Sequence, residues 1–299
     1  MPTTIALNDG TSIPQLGFGT LNVPPDRTPS PENTAATAEV VALAIAKGYR
    51  HIDTAQSYGN EVGVGAGIAA SGVPRDQLYV TTKLSNANHE PDDVRRSFDE
   101  SLAKLDTGYV DLFLVHWPLP TLYDGDYVGT WNAMVELLAG GQLRSVGVSN
   151  FQPAHLDRII AETGVVPVVN QIEVHPGFNN PDAIAASQGH GIAVEGWSPL
   201  GQGRSLDAGV VADVARAHDA TPAQVAIAWQ LQHGHVVIPK TTSPDRMTEN
   251  LAAADLSLTE DELAAIDGLD DGEAGRIGPN PDTFEWVPGP GSTTPPAPR

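Results

Sequence analysis

The sequence has no cysteine and only four lysines, at positions 47, 83, 104 and 240. Without cysteine there can be neither disulfides nor thiolate metal sites. The scarcity of lysine makes each one informative, because the chain carries a formal net charge of −21. A field of that sign repels nucleic acid and anionic membrane, so neither is an expected partner. Any anion site must be assembled locally from the few cations available. No apolar run approaches the roughly 20 residues that a membrane helix needs. The N-terminal run Met1-Pro-Thr-Thr-Ile5 lacks the basic-then-apolar order of a signal peptide, so the expected location is the cytoplasm.

What is present is a regular alternation. Residues 3–7 and 11–15 flank Asn8-Asp-Gly10, a hairpin turn signal, and predict a small two-stranded lid. A strand over 16–20 and a proline-rich loop over 22–33 precede a helix over 34–47, closed by Gly48. Strands are then predicted at 51–55, 78–84, 110–117, 144–149, 167–174, 191–197 and 235–239. The helices between and after them fall at 60–71, 91–104, 127–139, 153–162, 181–188, 207–217, 222–233, 244–252 and 259–267. The strands are short continuous apolar runs, as expected when both faces are buried. Eight βα units in one domain over 1–299 fit an α/β (β/α)8 TIM barrel with an N-terminal β-hairpin and extra C-terminal helices. A doubly wound sheet is the alternative, disfavoured because no Gly-x-Gly-x-x-Gly follows the first strand. The segment after about 285, rich in Pro, Gly, Ser and Thr, reads as a flexible tail.

In such a barrel the C-terminal strand ends build the site. Those ends carry Asp53, Lys83, His116 with Trp117, Ser149 and Asn150, Gln171, Trp197 with Ser198, and Lys240. Taken singly, each has a structural reading: Asp53 as a helix cap, Tyr58 as a loop anchor, Lys83 snorkelling from the mouth, His116 as a bonded core histidine. Their convergence on one rim points to chemistry instead. Lys83 beside Tyr58 would lower the phenol towards working pH, with Asp53 pairing the lysine. Tyr58 then serves as a proton donor, and His116 adds a second donor to a substrate oxygen. No nucleophile and no metal-ligand spacing is apparent, so the expected metal is none and the missing reactant is a cofactor hydride. Ser149, Asn150 and Gln171 suit a carboxamide, and Trp197 offers a stacking face. Lys240, Thr241, Thr242, Ser243 and Arg246 gather at a strand end and helix start, a phosphate-type site that favours NADPH over NADH. Ordinary capping of helix 244–252 would also account for some of these residues.

The chain resembles the aldo-keto reductases over about residues 4–280. The resemblance is carried by Gly48-Tyr-Arg-His-Ile-Asp-Thr-Ala55 with Tyr58-Gly-Asn-Glu61, Thr82-Lys83, Leu114-Val-His-Trp-Pro118 and Gly147-Val-Ser-Asn-Phe151. Asn170-Gln-Ile-Glu173, Trp197-Ser-Pro-Leu200 and Ile238-Pro-Lys240 with Arg246 and Asn250 complete it. It implies an NADPH-dependent reductase of small aldehydes, ketones or dicarbonyls, working as a monomer or weak homo-oligomer with the tetrad Asp53, Tyr58, Lys83 and His116. It also implies cofactor contacts from Ser198, Leu200 and Asn250. The segment 275–284 is similar to actinobacterial members near the 2,5-diketogluconate reductases. Two departures stand out: Trp197 where the family often has Tyr, and Leu21 where many members carry a pocket-lining aromatic. Leu21 and Trp117 are expected at the substrate, with Tyr123, Tyr127 and Trp286 as further wall candidates. The alternatives are a family member that binds NADPH with little turnover, and an unrelated barrel enzyme using Lys83 as a Schiff-base amine.

Overall fold

A computed structural model describes residues 3–204, 206 and 209–289. The hairpin strands are β1 (Thr4–Ala6) and β2 (Ser12–Pro14), paired antiparallel. The barrel strands are β3 (Phe18–Gly19), β4 (His51–Asp53), β5 (Tyr79–Leu84), β6 (Val110–Val115), β7 (Leu143–Ser149), β8 (Val169–Glu173), β9 (Ala193–Trp197) and β10 (Val236–Val237). They run parallel in sequence order. The sheet closes between its ends: Leu16 bridges Val237, with Gly17 N–H to the Val237 carbonyl at 2.8 Å and Val237 N–H to that of Gln15 at 2.8 Å. Eight strands with intervening helices therefore form a (β/α)8 barrel.

The helices are α1 (Pro31–Lys47), α2 (Glu61–Ala70), α3 (Pro91–Leu105), α4 (Tyr127–Glu136), α5 (Pro153–Thr163), α6 (Pro181–Gly189), α7 (Gly209–Ala217), α8 (Pro222–Gln232), α9 (Pro244–Ala252) and α10 (Glu260–Asp267). Proline opens α1, α3, α5, α6, α8 and α9, where its fixed φ suits the first turn and its missing N–H costs nothing. That explains why α1 starts at Pro31, inside what reads as a loop, with Ser30 capping the Asn33 N–H. The barrel strands are shorter than expected at their ends, except β7, which starts one residue earlier at Leu143. β10 stops before Pro239, which has no N–H to give the ladder. Residues 207 and 208 of the expected helix 207–217 lie outside the described residues.

The hairpin is a floor, not a lid over the site. Leu7 and Ile13 pack with Tyr79, Leu112, Leu114, Val168, Val169 and Val236. Asp9 accepts from Ser145 (2.6 Å), and the Asn8 amide donates to the Pro167 carbonyl (2.9 Å), both at strand starts. The opposite end is left for chemistry. No helix among the described residues is long and apolar enough to cross a membrane.

Candidate active site

Each part of the rim is placed by local structure. β4 ends at Asp53, and a single 3-10 turn (Gln56–Tyr58) swings the phenol back over it. Gln56 holds that turn, its amide donating to the Ser97 carbonyl and Ser101 and its oxygen accepting from Ser85 N–H. Gly59, at φ 71°, supplies the left-handed step into α2. The Asn60 side chain ties this corner to the first strand through the Thr20 and Val23 carbonyls at 2.9 and 3.0 Å. α2 can sit this close because Gly65 faces the end of α3: a Cβ there would meet the Leu105 carbonyl at 2.0 Å.

Lys83, fully buried on β5, donates to both Asp53 oxygens (2.7 and 2.8 Å) and to the Thr54 carbonyl (2.9 Å), and reaches the Tyr58 hydroxyl at 3.4 Å. His116 follows β6, its ring edge-on to that of Tyr58 at 5.8 Å between centroids. The four expected residues therefore converge.

The electrostatics differ in one respect from the expectation. Burial pushes the Tyr58 phenol up, and the downward pull of Lys83 does not overcome it, because Asp53 stands behind the lysine and opposes it. The phenol is thus firmly protonated in this state. Burial works against the Lys83 charge, but Asp53 and Tyr58 more than offset it and raise its pKa. His116 is held well below the ordinary histidine value by burial and by Lys83, so it is neutral at working pH.

The amide cluster is more internally bonded than a free gripping site. Asn150, at φ 64°, donates to the His116 carbonyl and to Ser149 Oγ, and accepts from the Trp197 indole N–H at 2.9 Å. Ser149 donates to the Gln171 carbonyl. Gln171 uses its amide nitrogen on Asp53 (2.9 Å) and Glu195 (3.0 Å). Trp197 ends β9, Ser198 follows at φ 50°, and Leu200 is half-buried beyond it. Past β10, Lys240, Thr242 and Arg246 are exposed, and Thr241 is buried, accepting from Ser243 N–H. Ser243 caps α9 at the Arg246 N–H. Neither Lys240 nor Arg246 has a salt bridge among the described residues. Asn250 is buried at 3 % exposure under α9, close to the Tyr49 phenol.

Of the two residues expected at the substrate, Leu21 is exposed beside Thr20. Trp117 packs on Phe284 at 4.3 Å between ring centroids. The carboxy-terminal segment is a strap across the mouth. Ile277 and Gly278 N–H groups bind the Glu173 carboxylate (2.6 and 2.9 Å), Asp282 meets His155 (3.4 Å), and the Trp286 carbonyl accepts from Asn86 (2.8 Å). The tail expected from about 285 is thus anchored at Trp286 by that hydrogen bond; residues 290–299 lie outside the described set. Tyr123 stacks on His89 and donates to the Asn86 carbonyl, near this strap. Tyr127 is buried on α4 against Phe151 and His155. Sequence reasoning missed Glu173 as a strap anchor, Glu195 and Arg27. Arg27 donates to Asn22 and lies near enough to Tyr58 and His116 to act on both.

The chain and its fold have known counterparts. The model of the aldo/keto reductase family matches residues 15–271. The chain belongs to the aldo/keto reductase family. It is 44% identical over 289 residues to methylglyoxal reductase DkgA of Escherichia coli (strain K12), covering 95% of this chain and 98% of that protein. It is 44% identical over 283 residues to an aldo-keto reductase of Mycobacterium sp. (strain KMS), covering 95% and 98%. Among solved structures, an aspartate-to-alanine mutant of Gox0644 in complex with NADPH superposes at TM-score 0.87 with 42% identity, covering 96% of this chain and all (100%) of that one. As an aldo/keto reductase the protein is an oxidoreductase.

Proposed function

We propose that this reductase transfers hydride from NADPH to the carbonyl carbon of small aldehydes, ketones or dicarbonyls, with Tyr58 as proton donor. The observation that carries the reading is the Lys83 ammonium, bonded to Asp53 and 3.4 Å from the Tyr58 hydroxyl inside a closed barrel. Bound NADPH would supply the hydride. The residues present fit that cofactor: Trp197 offers a flat indole, and among the described residues nothing donates to the Gln171 side-chain oxygen and neither Lys240 nor Arg246 has a salt bridge, in an acidic protein.

The chain's own groups divide the rest. The protonated Tyr58 gives its proton to the carbonyl oxygen as negative charge develops there. Neutral His116 donates a second hydrogen bond to that oxygen. Lys83 stabilises the phenolate that remains, and Asp53 holds Lys83 in place. The strap and Trp117 exclude water. The likeness to a methylglyoxal reductase supports small dicarbonyls as the substrate class. Replacing Tyr58 with Phe tests the assignment. Carbonyl reduction followed at the nicotinamide absorbance should fall by at least about 10²-fold, the low end of general-acid contributions. NADPH affinity should stay within about 2-fold, under 0.5 kcal/mol; a variant that still turns over would refute the donor role.

A further inference from the structure

Beneath the tetrad lies a second acid that the mechanism above does not use. Glu195 sits mid-way along β9 with no exposure at all. Its Oε2 accepts from the Gln171 amide at 3.0 Å. Its Oε1 has no hydrogen bond and lies 3.7 Å from His51 Nε2. The same Gln171 nitrogen donates to Asp53 Oδ1 at 2.9 Å. Both amide hydrogens of Gln171 are therefore committed to carboxyl groups. A single such bond would fix one end of the amide; two fix its plane, and with it the direction of the oxygen. No hydrogen bond is made to that oxygen among the described residues.

We propose that Glu195 is a positioning residue for cofactor recognition: it locks the Gln171 amide so that its oxygen faces the NH2 of the nicotinamide carboxamide. The inference rests on the NADPH reading above. The surroundings support it. Besides Gln171, the ionisable side chains acting on Glu195 are His51, Asp53, Tyr79 and Lys83, whereas neighbouring β10 brings only Val236 and Val237. Burial and Asp53 push the Glu195 carboxyl up to about 8. As a neutral acid it accepts from Gln171 without adding charge beside the Asp53–Lys83 pair. Its proton then belongs on Oε1, towards His51, which burial holds neutral with a pKa near 3.

The test compares NADPH with its reduced 3-acetylpyridine analogue, in which a methyl group replaces the carboxamide NH2. Dissociation constants are read from quenching of tryptophan fluorescence. In the wild-type protein NADPH should bind several-fold tighter than the analogue. Glu195→Leu should weaken NADPH several-fold and leave the analogue nearly unchanged, so that the ratio falls towards one. Glu195→Gln keeps an oxygen within reach of Gln171 and should restore the ratio. If Leu at this buried position prevents folding, Glu195→Thr, too short to reach Gln171, replaces it. A folded Leu or Thr variant with the wild-type ratio overturns the proposal, as does wild-type protein that binds both molecules equally. Wild-type protein that binds neither defeats the NADPH reading itself.

Discussion

At the scale of single residues, the centre of the site is one ammonium group in a dry place. Lys83 is fully buried and has four hydrogen-bond contacts, two of them to Asp53. Removing one member of a buried ion pair typically costs about 3–5 kcal/mol, because the other charge is stranded. Lys83→Met should therefore lose stability in that range, read by denaturant unfolding. Its kcat should fall further than its NADPH affinity does. The upward pKa of Tyr58 shows why this detail was not legible in the sequence. Spacing along the chain announced the neighbours Lys83 and Asp53, but the burial that outweighs the lysine depends on packing from the whole mouth.

At the scale of elements, the strand ends were readable and the strap was not. Runs such as 110–115 and 169–173 are mostly apolar or β-branched at their starts and bounded by loops, so both their position and their polar ends stand out in the sequence. The sequence pattern starts α1 at 34 and the structure at Pro31, because proline marks loops and first helical turns alike. The strap depends on contacts 104 to 200 residues apart, such as Ile277 to Glu173 and Trp286 to Asn86. No local pattern encodes these. Gly278 sits where the strap meets the site: a Cβ there would meet Trp197 Cη2 at 2.5 Å and Glu173 Oε2 at 2.9 Å. Overpacking of this kind typically costs about 1–3 kcal/mol. Gly278→Ala should displace the indole and raise the KM for NADPH several-fold, with a shifted tryptophan emission as an independent sign. At the far rim, Arg246→Ala at the start of α9 should weaken NADPH by about 10-fold or more, of the order of a lost charge-assisted contact, and NADH much less. Equal loss of both cofactors would remove Arg246 from phosphate recognition.

At the scale of the molecule, the buried histidines set the acid limit. His51, His89, His116, His155 and His235 are all depressed, largely by burial, with His51 near 3 and both His89 and His235 near 4. In the unfolded chain they would titrate near 6.5. Below that pH the unfolded state binds protons that the native state refuses, so stability falls as pH falls, by roughly 1.4 kcal/mol per pH unit for each of His51, His89 and His235. Glu195 acts in the opposite sense. Its raised pKa favours the fold below about 4.5, and that contribution is lost as pH rises towards 8. His51, His89 and His235 together outweigh it on the acid side. Melting temperature should therefore decline steadily from pH 6.5 to 4.5, while Glu195→Gln should gain on the wild type between pH 5 and 8. A melting temperature flat down to pH 4.5 would contradict the burial of these rings.

The strap also separates what reacts from what is chosen. One continuous ribbon meets Glu173, Trp197, His155, Trp117 and Asn86, yet among the described residues it makes no hydrogen bond to the Asp53–Lys83–Tyr58 trio. Exchanging that ribbon as a cassette between relatives should therefore re-tailor the range of molecules admitted while the reaction itself carries on as before.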